Sequence, residues 1–289
     1  MAVEELQRVP EVGALFRRAV TGLVPGRRGD DTLDDTELLV RDVAVDAERL
    51  AAYARVCGFR LSDTLPPTYP HIMAFPLALE LMTRPGFPFP LVGLVHVANT
   101  IEVVRPVDAS HRLDLSVRAE NLRPHARGRV VDLVAAATVD GQTVWRSRSE
   151  YLRRGKPASG PSPVRDPAAA PAPASAVWRV GPEVARAYAA ASGDHNPIHT
   201  STVAARLFGF PRRIAHGMWG KARSLAALEG RLPVAFTVDV SFKLPILLPS
   251  TVAFSAVQAS DGWRIALHDA RAGKPHLAGS IRLQATTEA

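Results

Sequence analysis

Residues 188–219 read YAAASGDHNPIHTSTVAARLFGFPRRIAHGMW, and within them Asp194, Asn196 and His199 fall inside six consecutive positions. Gly193, just before, supplies the left-handed conformation that ends a helix. A new helix is expected over about 201–208, with Ser201 or Thr200 as its N-cap. Pro197 removes a backbone donor and fixes φ, so the Asp-to-His connection reads as a tight, rigid loop and not as a continuing helix. Such a loop points a carboxylate and an imidazole at one spot, with Asn196 available to hold either by hydrogen bonding. Further on, His216-Gly217-Met218 opens a second, apolar helix. A glycine amide there meets the partial positive charge of a helix N-terminus.

Outward from this stretch the chain reads as two similar halves. Residues 156–175 (KPASGPSPVRDPAAAPAPAS) are mostly Pro, Ala, Ser and Gly with no apolar period, the composition of a linker. On this reading, residues 1–155 form one domain and 176–289 a second, sizes comfortable for a chain of 289 residues. In the first half 37–45 reads as a strand and 46–57 as a helix closed by Gly58. In the second, 176–180 is a strand and 182–191 a helix closed by Gly193. A constant offset of 135 aligns Glu48 with Glu183, Tyr53 with Tyr188 and Gly58 with Gly193. A second helix follows in each half (75–83 and 218–228). The extended runs 97–106 and 236–245 each end in Pro, and both halves finish in β-like segments: 113–121, 130–139 and 143–152, against 251–258, 263–269 and 274–284. Helices followed by runs of strands argue for α+β, a helix packed on an antiparallel sheet. The halves differ in one place: Tyr53 to His71 spans 18 residues, whereas Tyr188 to His216 spans 28.

Composition narrows the function classes. The single cysteine, Cys57, allows neither an intrachain disulfide nor a cysteine metal site and fits a reducing cytoplasm. The histidines show no zinc spacing and no glycine-rich phosphate loop precedes a helix, so neither metal nor cofactor is expected. Arg17-Arg18 interrupt the apolar run 12–20, which excludes a secretory signal, and no apolar run approaches a membrane span. The net charge of +7 comes from dispersed arginines without interleaved aromatics, which disfavours a nucleic-acid groove. Positive potential does help to capture acidic carriers or phosphate-bearing ligands.

A carboxylate and an imidazole facing one water have the equipment for reversible hydration next to a carbonyl. One group takes a proton from water while the other gives one to the carbon alpha to the carbonyl. A helix-terminal glycine amide polarises that carbonyl. The pattern Y-x-x-x-S-G-D-x-N-P-I-H over 188–199, then A-x-x-x-G-F and I-A-H-G-M, resembles the MaoC-like, or (R)-specific enoyl-thioester hydratase, family. The resemblance implies a double hot-dog fold, in which each long helix is wrapped by a curved antiparallel sheet. It implies Asp194 and His199 as the catalytic pair holding water, Asn196 in support and the Gly217 amide as oxyanion donor. At the same offset the first half carries Cys57-Gly58-Phe59 and no Asn-Pro-x-His loop, similar to family members in which one half has lost catalysis. Tyr69, His71, Met73 and Phe75 of that half, with Phe210, His216, Met218 and Trp219 of the other, are the candidate acyl-binding residues. The implied substrates are acyl-CoA or acyl-carrier-protein thioesters, handled by a monomeric pseudo-dimer or a homodimer. A non-catalytic acyl-binding or assembly subunit and a hot-dog thioesterase are the rival readings.

Overall fold

In the computed structural model, residues 2–21, 33–91, 93–155 and 172–283 are described, so most of the linker stretch lies outside the described residues. The first half runs β1 (Ala2–Glu5), α1 (Val12–Thr21), β2 (Thr36–Val43), α2 (Ala47–Cys57), α3 (Tyr69–Thr83), β3 (Leu94–Val103), β4 (Leu113–His125), β5 (Gly128–Val139) and β6 (Gln142–Arg154). The second runs β7 (Ala176–Val180), α4 (Pro182–Ser192), α5 (Pro197–Thr200), α6 (Thr202–Leu207), α7 (Gly217–Ala226), β8 (Phe236–Phe242), β9 (Ser250–Ala259), β10 (Gly262–Asp269) and β11 (Pro275–Leu283). These strands form one sheet in the order β1-β2-β4-β5-β6-β3-β8-β11-β10-β9-β7. Leaving out β1, the order read inward from either end is the same set of roles, and the two sets meet where β3 pairs antiparallel with β8, from Ala98↔Ser241 to Val103↔Phe236. The repeat seen in sequence is therefore a pseudo-twofold about that central ladder. Among the described residues only the β1–β2 ladder is parallel.

Each half lays a helix on its own part of the sheet: α3 packs on β2, β4 and β5, and α7 on β10 and β11. The paired positions of the repeat meet at the junction of α2 with α4, where the rings of Tyr53 and Tyr188 lie 5.9 Å apart, both buried. One apolar core runs through both halves.

The first helix of each half ends as its glycine dictates. Gly58 and Gly193 both adopt φ of 80°, in the left-handed region where a Cβ is strained. Asp46 caps α2 by accepting from Arg49 N at 3.0 Å. An arginine from elsewhere then covers each exposed helix end. Arg49 of α2 donates to the carbonyls of Ala191 and Ser192 at the end of α4, at 2.7 and 2.8 Å. Arg223 of α7 reaches the carbonyl of Cys57 at the end of α2, at 3.4 Å.

Three elements depart from the sequence reading. The second helix of the first half begins at Tyr69, not 75, because Pro70 sits in its first turn, where a missing N–H costs nothing. Ten of its 15 residues are buried, leaving no polar stripe to mark its start. The strand β1 and helix α1 also escaped the sequence reading. Helix α1 is held in place by Arg18, which donates to Glu80 of α3 at 2.6 Å.

Candidate active site

The segment after α4 is built from nested short-range hydrogen bonds. Ser192 Oγ accepts from Asp194 N at 3.1 Å, Asp194 Oδ1 from Asn196 N at 3.2 Å, and Asn196 Oδ1 from Ile198 N at 3.3 Å. The last bond makes Asn196 the N-cap of α5, a single helical turn with Pro197 in its first position and His199 within it. The expected rigid loop thus carries one helical turn. The Asn196 side chain is spent on capping that turn; its backbone N–H, and not its amide, holds the Asp194 carboxylate. Ser201 then caps α6 by accepting from Ala204 N at 3.3 Å.

The two imidazoles are fixed by backbone carbonyls, which only accept. His199 Nδ1 lies 2.8 Å from Ile214 O, so Nδ1 carries the hydrogen, and in the neutral ring Nε2 keeps its lone pair. His216 Nε2 lies 3.0 Å from Asp194 O and donates there, which leaves its buried Nδ1 without a partner. The rings stack with centroids 3.6 Å apart. Burial pushes the His199 pKa down, with the Asp194 charge opposing it. Burial and the adjacent His199 hold His216 well below the usual range. Its nitrogen lies 3.9 Å from Asp194 Oδ2, but a neutral ring at that distance is not an ion pair. A carboxylate oxygen of Asp194 and one ring nitrogen each of His199 and His216 lie within 4.8 Å of one another.

His216 is also the N-cap of α7, and Gly217 begins that helix. The first ladder bond, Gly220 N to His216 O at 3.3 Å, leaves the earlier N–H groups without helical partners. Gly217 is exposed between buried neighbours. A Cβ on it would sit 3.0 Å from the Phe242 ring, so a side chain here requires that ring to give way by a few tenths of an ångström.

The remaining candidates separate into two groups. His71 and Phe75 of α3 line a narrow cavity together with Ala74 and with Ser147, Ser149 and Tyr151 of β6. Tyr151 stacks on His96 with centroids 4.6 Å apart, and His96 meets at 5.0 Å the Phe242 ring that lies against Gly217, so that end of the cavity is toward the start of α7. Met73, Met218, Trp219 and Tyr69 are instead buried in the core. The Trp219 indole donates to Val56 O of α2 at 3.0 Å, and Tyr69 packs edge-on against Tyr53. Phe210 follows α6, half-buried, its N–H on Ala205 O at 2.9 Å. Sequence reasoning missed Tyr151, Ser147 and Ser149, and also Tyr188, whose buried hydroxyl has no partner among the described residues. It also missed Lys221, fully buried in α7, although one of only four lysines standing in an apolar helix was a signal.

Comparison with known proteins agrees with this geometry. The family described as MaoC like domain matches residues 162–277. The 3-hydroxyacyl-thioester dehydratase X of Mycobacterium tuberculosis (strain ATCC 25618 / H37Rv) is 39% identical over 267 residues, 92% of this chain and 95% of the relative. The peroxisomal enoyl-CoA hydratase 2 of Arabidopsis thaliana is 26% identical over 192 residues, 61% of each chain. The crystal structure of HtdX from Mycobacterium tuberculosis superposes with a TM-score of 0.77 at 38% identity, covering 86% of this chain and 100% of that one. A MaoC-like dehydratase from Phytophthora capsici, 21% identical, shares the fold with a TM-score of 0.73 over 90% and 99% of the two chains. A repeated antiparallel sheet, a buried helix in each half and a single Asp-x-Asn-Pro-x-His turn identify this chain as a member of the MaoC-like dehydratase family, with a double hot-dog fold.

Proposed function

We propose that the chain interconverts trans-2-enoyl and (3R)-3-hydroxyacyl thioesters by reversible hydration in fatty-acid metabolism, with Asp194 and His199 as the acid–base pair. The observation that carries this reading is the tautomer of His199: with Nδ1–H on Ile214 O, the neutral ring keeps an unprotonated Nε2 in a buried site. A water held between that nitrogen and the Asp194 carboxylate loses a proton to the pair as its oxygen bonds to C3. The pair returns a proton to C2, so the elements of water add across the double bond and the enzyme is unchanged. A carboxylate oxygen of Asp194 and a ring nitrogen of His199 lie within 4.8 Å of each other, close enough to share one water. Enolate charge develops on the thioester oxygen, and the Gly217 N–H at the start of α7 is the donor we assign to it.

On the same reading residues 1–155 form a non-catalytic domain, 156–175 a linker and 176–289 the catalytic domain, with the acyl chain running into the first half. The thioester carrier is coenzyme A or acyl carrier protein, and the chain acts in the cytoplasm as a pseudo-dimeric monomer or a homodimer. No helix among the described residues is long and apolar enough to cross a membrane.

The test follows loss of enoyl-thioester absorbance with crotonyl-CoA and a longer trans-2-enoyl-CoA. Asp194→Asn and His199→Ala should each lower the rate about 100-fold or more while the circular-dichroism spectrum is retained. Sustained release of free thiol without hydration points to a thioesterase and overturns the proposal. A folded wild type inert on every chain length and carrier points to an assembly subunit and does the same.

A further inference from the structure

Beneath the cavity of the first half lies a buried polar relay that the hydration chemistry does not use. Lys221 of α7 has no exposed surface, and its Nζ donates to Asn99 Oδ1 at 2.6 Å, Asn99 O at 3.0 Å and Val238 O at 3.1 Å. Three oxygens match the three N–H donors of an ammonium. Burial pushes its pKa well down, and the nearby Asp239 charge works the other way. The contact also decides which way the Asn99 amide faces: oxygen toward Lys221, NH2 toward β6. That NH2 donates to Ser147 Oγ at 2.9 Å and Ser149 Oγ at 3.0 Å. Both serines are buried, and both line the cavity.

The direction of donation matters. Each serine oxygen accepts from Asn99, so each must place its own O–H elsewhere, and among the described residues neither O–H has an acceptor. A hydroxyl buried against apolar side chains without an acceptor is costly. Leu133, Ala135 and Val117, which complete this part of the cavity, offer none from their side chains. The open direction is the cavity itself. A lysine, an asparagine and two serines thus form a chain of donors, each orienting the next, that ends in two O–H groups in a pocket whose walls, His71 and Tyr151 apart, are otherwise apolar.

We propose that this pocket selects acyl chains bearing a hydrogen-bond-accepting oxygen, such as a hydroxyl or keto group, at a position well beyond C3. The proposal rests on the reading above in which the acyl chain enters the first half. Ser149 and Ser147 lie two and four residues along β6 from Tyr151, the cavity residue that leads through the His96 and Phe242 rings to Gly217. At the rise of a strand this is about 7 and about 13 Å. The oxygen recognised is therefore on the body of a medium or long chain and separate from the atoms that react.

Equilibrium binding of saturated, unreactive acyl-CoA thioesters tests this independently of turnover. Titrations would use dodecanoyl-CoA and a set of its monohydroxy derivatives in which the hydroxyl walks along the chain beyond C3. The wild type should bind one or two mid-chain isomers about five- to tenfold more tightly than the plain chain, the gain of one or two hydrogen bonds. Ser147→Ala and Ser149→Ala should erase that gain and bind the plain chain at least as well as before. A flat positional profile in the wild type overturns the proposal without any variant. So does a preference that survives in both alanine variants, which would leave the cavity as the seat of a structural water only. Wild-type hydration of crotonyl-CoA, measured alongside, separates the two readings: if it proceeds while the positional profile is flat, only the oxygen selectivity is lost.

Discussion

Arg49 belongs to the half without the Asp-His turn, yet its guanidinium closes the helix that delivers Asp194. Its Nε and Nη2 take the carbonyls of Ala191 and Ser192 at 2.7 and 2.8 Å, and the next two residues are Gly193 and Asp194. Replacing it by Met keeps the apolar stem and removes both bonds. A hydrogen bond to a charged donor contributes roughly 1.5–3 kcal/mol. Arg49 is half-buried, so the low end applies, and the pair is worth about 3 kcal/mol. Rotamer freedom regained by the side chain offsets up to about 1 kcal/mol of that. Arg49→Met should therefore destabilise by about 2–3 kcal/mol, read as a lower urea midpoint at unchanged slope. Loss of the tether should also lower kcat for enoyl-thioester hydration on the order of tenfold, because small displacements of a reacting group are expensive. Arg49→Lys keeps the charge but not the fork and should fall between. A variant as stable as wild type refutes the energetic argument. A destabilised variant with full kcat refutes the claim that the first half positions Asp194.

Four further outcomes follow from the same geometry. His199 works as a neutral ring and burial lowers its pKa, so kcat/KM should be level through neutrality and fall in an acid limb whose midpoint lies below 6.5. Stability should move with it. His71 (to about 4), His96, His199 and His216 all have folded pKa values below 6.5, so the unfolded chain takes protons first. The denaturation midpoint should hold above pH 6.5 and drop as pH falls from there toward about 4; a midpoint that rises on acidification contradicts the burial argument. Gly217→Ala places a methyl 3.0 Å from the Phe242 ring and should lower kcat/KM about tenfold, with Phe242→Leu in the same chain restoring part of it. Finally, Tyr53→Phe should cost about 1 kcal/mol by stripping the buried Thr68 hydroxyl of its 2.8 Å partner, whereas Tyr188→Phe, which removes an unpaired hydroxyl, should be neutral or stabilising in the same thermal melt.

What sequence disclosed here was what neighbouring residues decide among themselves. Gly58 and Gly193 end their helices because no other residue suits that conformation, and Ser201 caps α6 because the next turn offers it a free N–H. The Asp194–His199 segment was legible for the same reason. Asn196 was read only in part: a side-chain amide can hold a carboxylate or cap a turn, and Pro197 at the first helical position decides for the cap. Residues whose partners lie far along the chain stayed invisible. Trp219 looked like a pocket residue until its indole was seen to donate to Val56, 163 positions away. Asn99 and Lys221 are 122 apart, and nothing local to either foretells the other. The start of α3 was lost because a helix buried nearly all round has no period to read.

The two halves serve as each other's control. They share strand order, a capping glycine at φ 80° and a tyrosine at the matching position, so the common fold alone accounts for none of the chemistry. The difference is the longer path from Tyr188 to His216. In the first half the shorter connection brings Thr68 under Tyr53 and the hydroxyl pair closes at 2.8 Å. In the second, the extra residues build α5 and α6, carry His199 beneath His216, and leave the Tyr188 hydroxyl and His216 Nδ1 buried and unpaired. At this position the first half closes a hydroxyl pair, whereas the second leaves a hydroxyl and a ring nitrogen open next to His199. The insertion therefore lies where the second half gives up internal pairing, and the first half compensates through Arg49, which holds the end of α4 from outside.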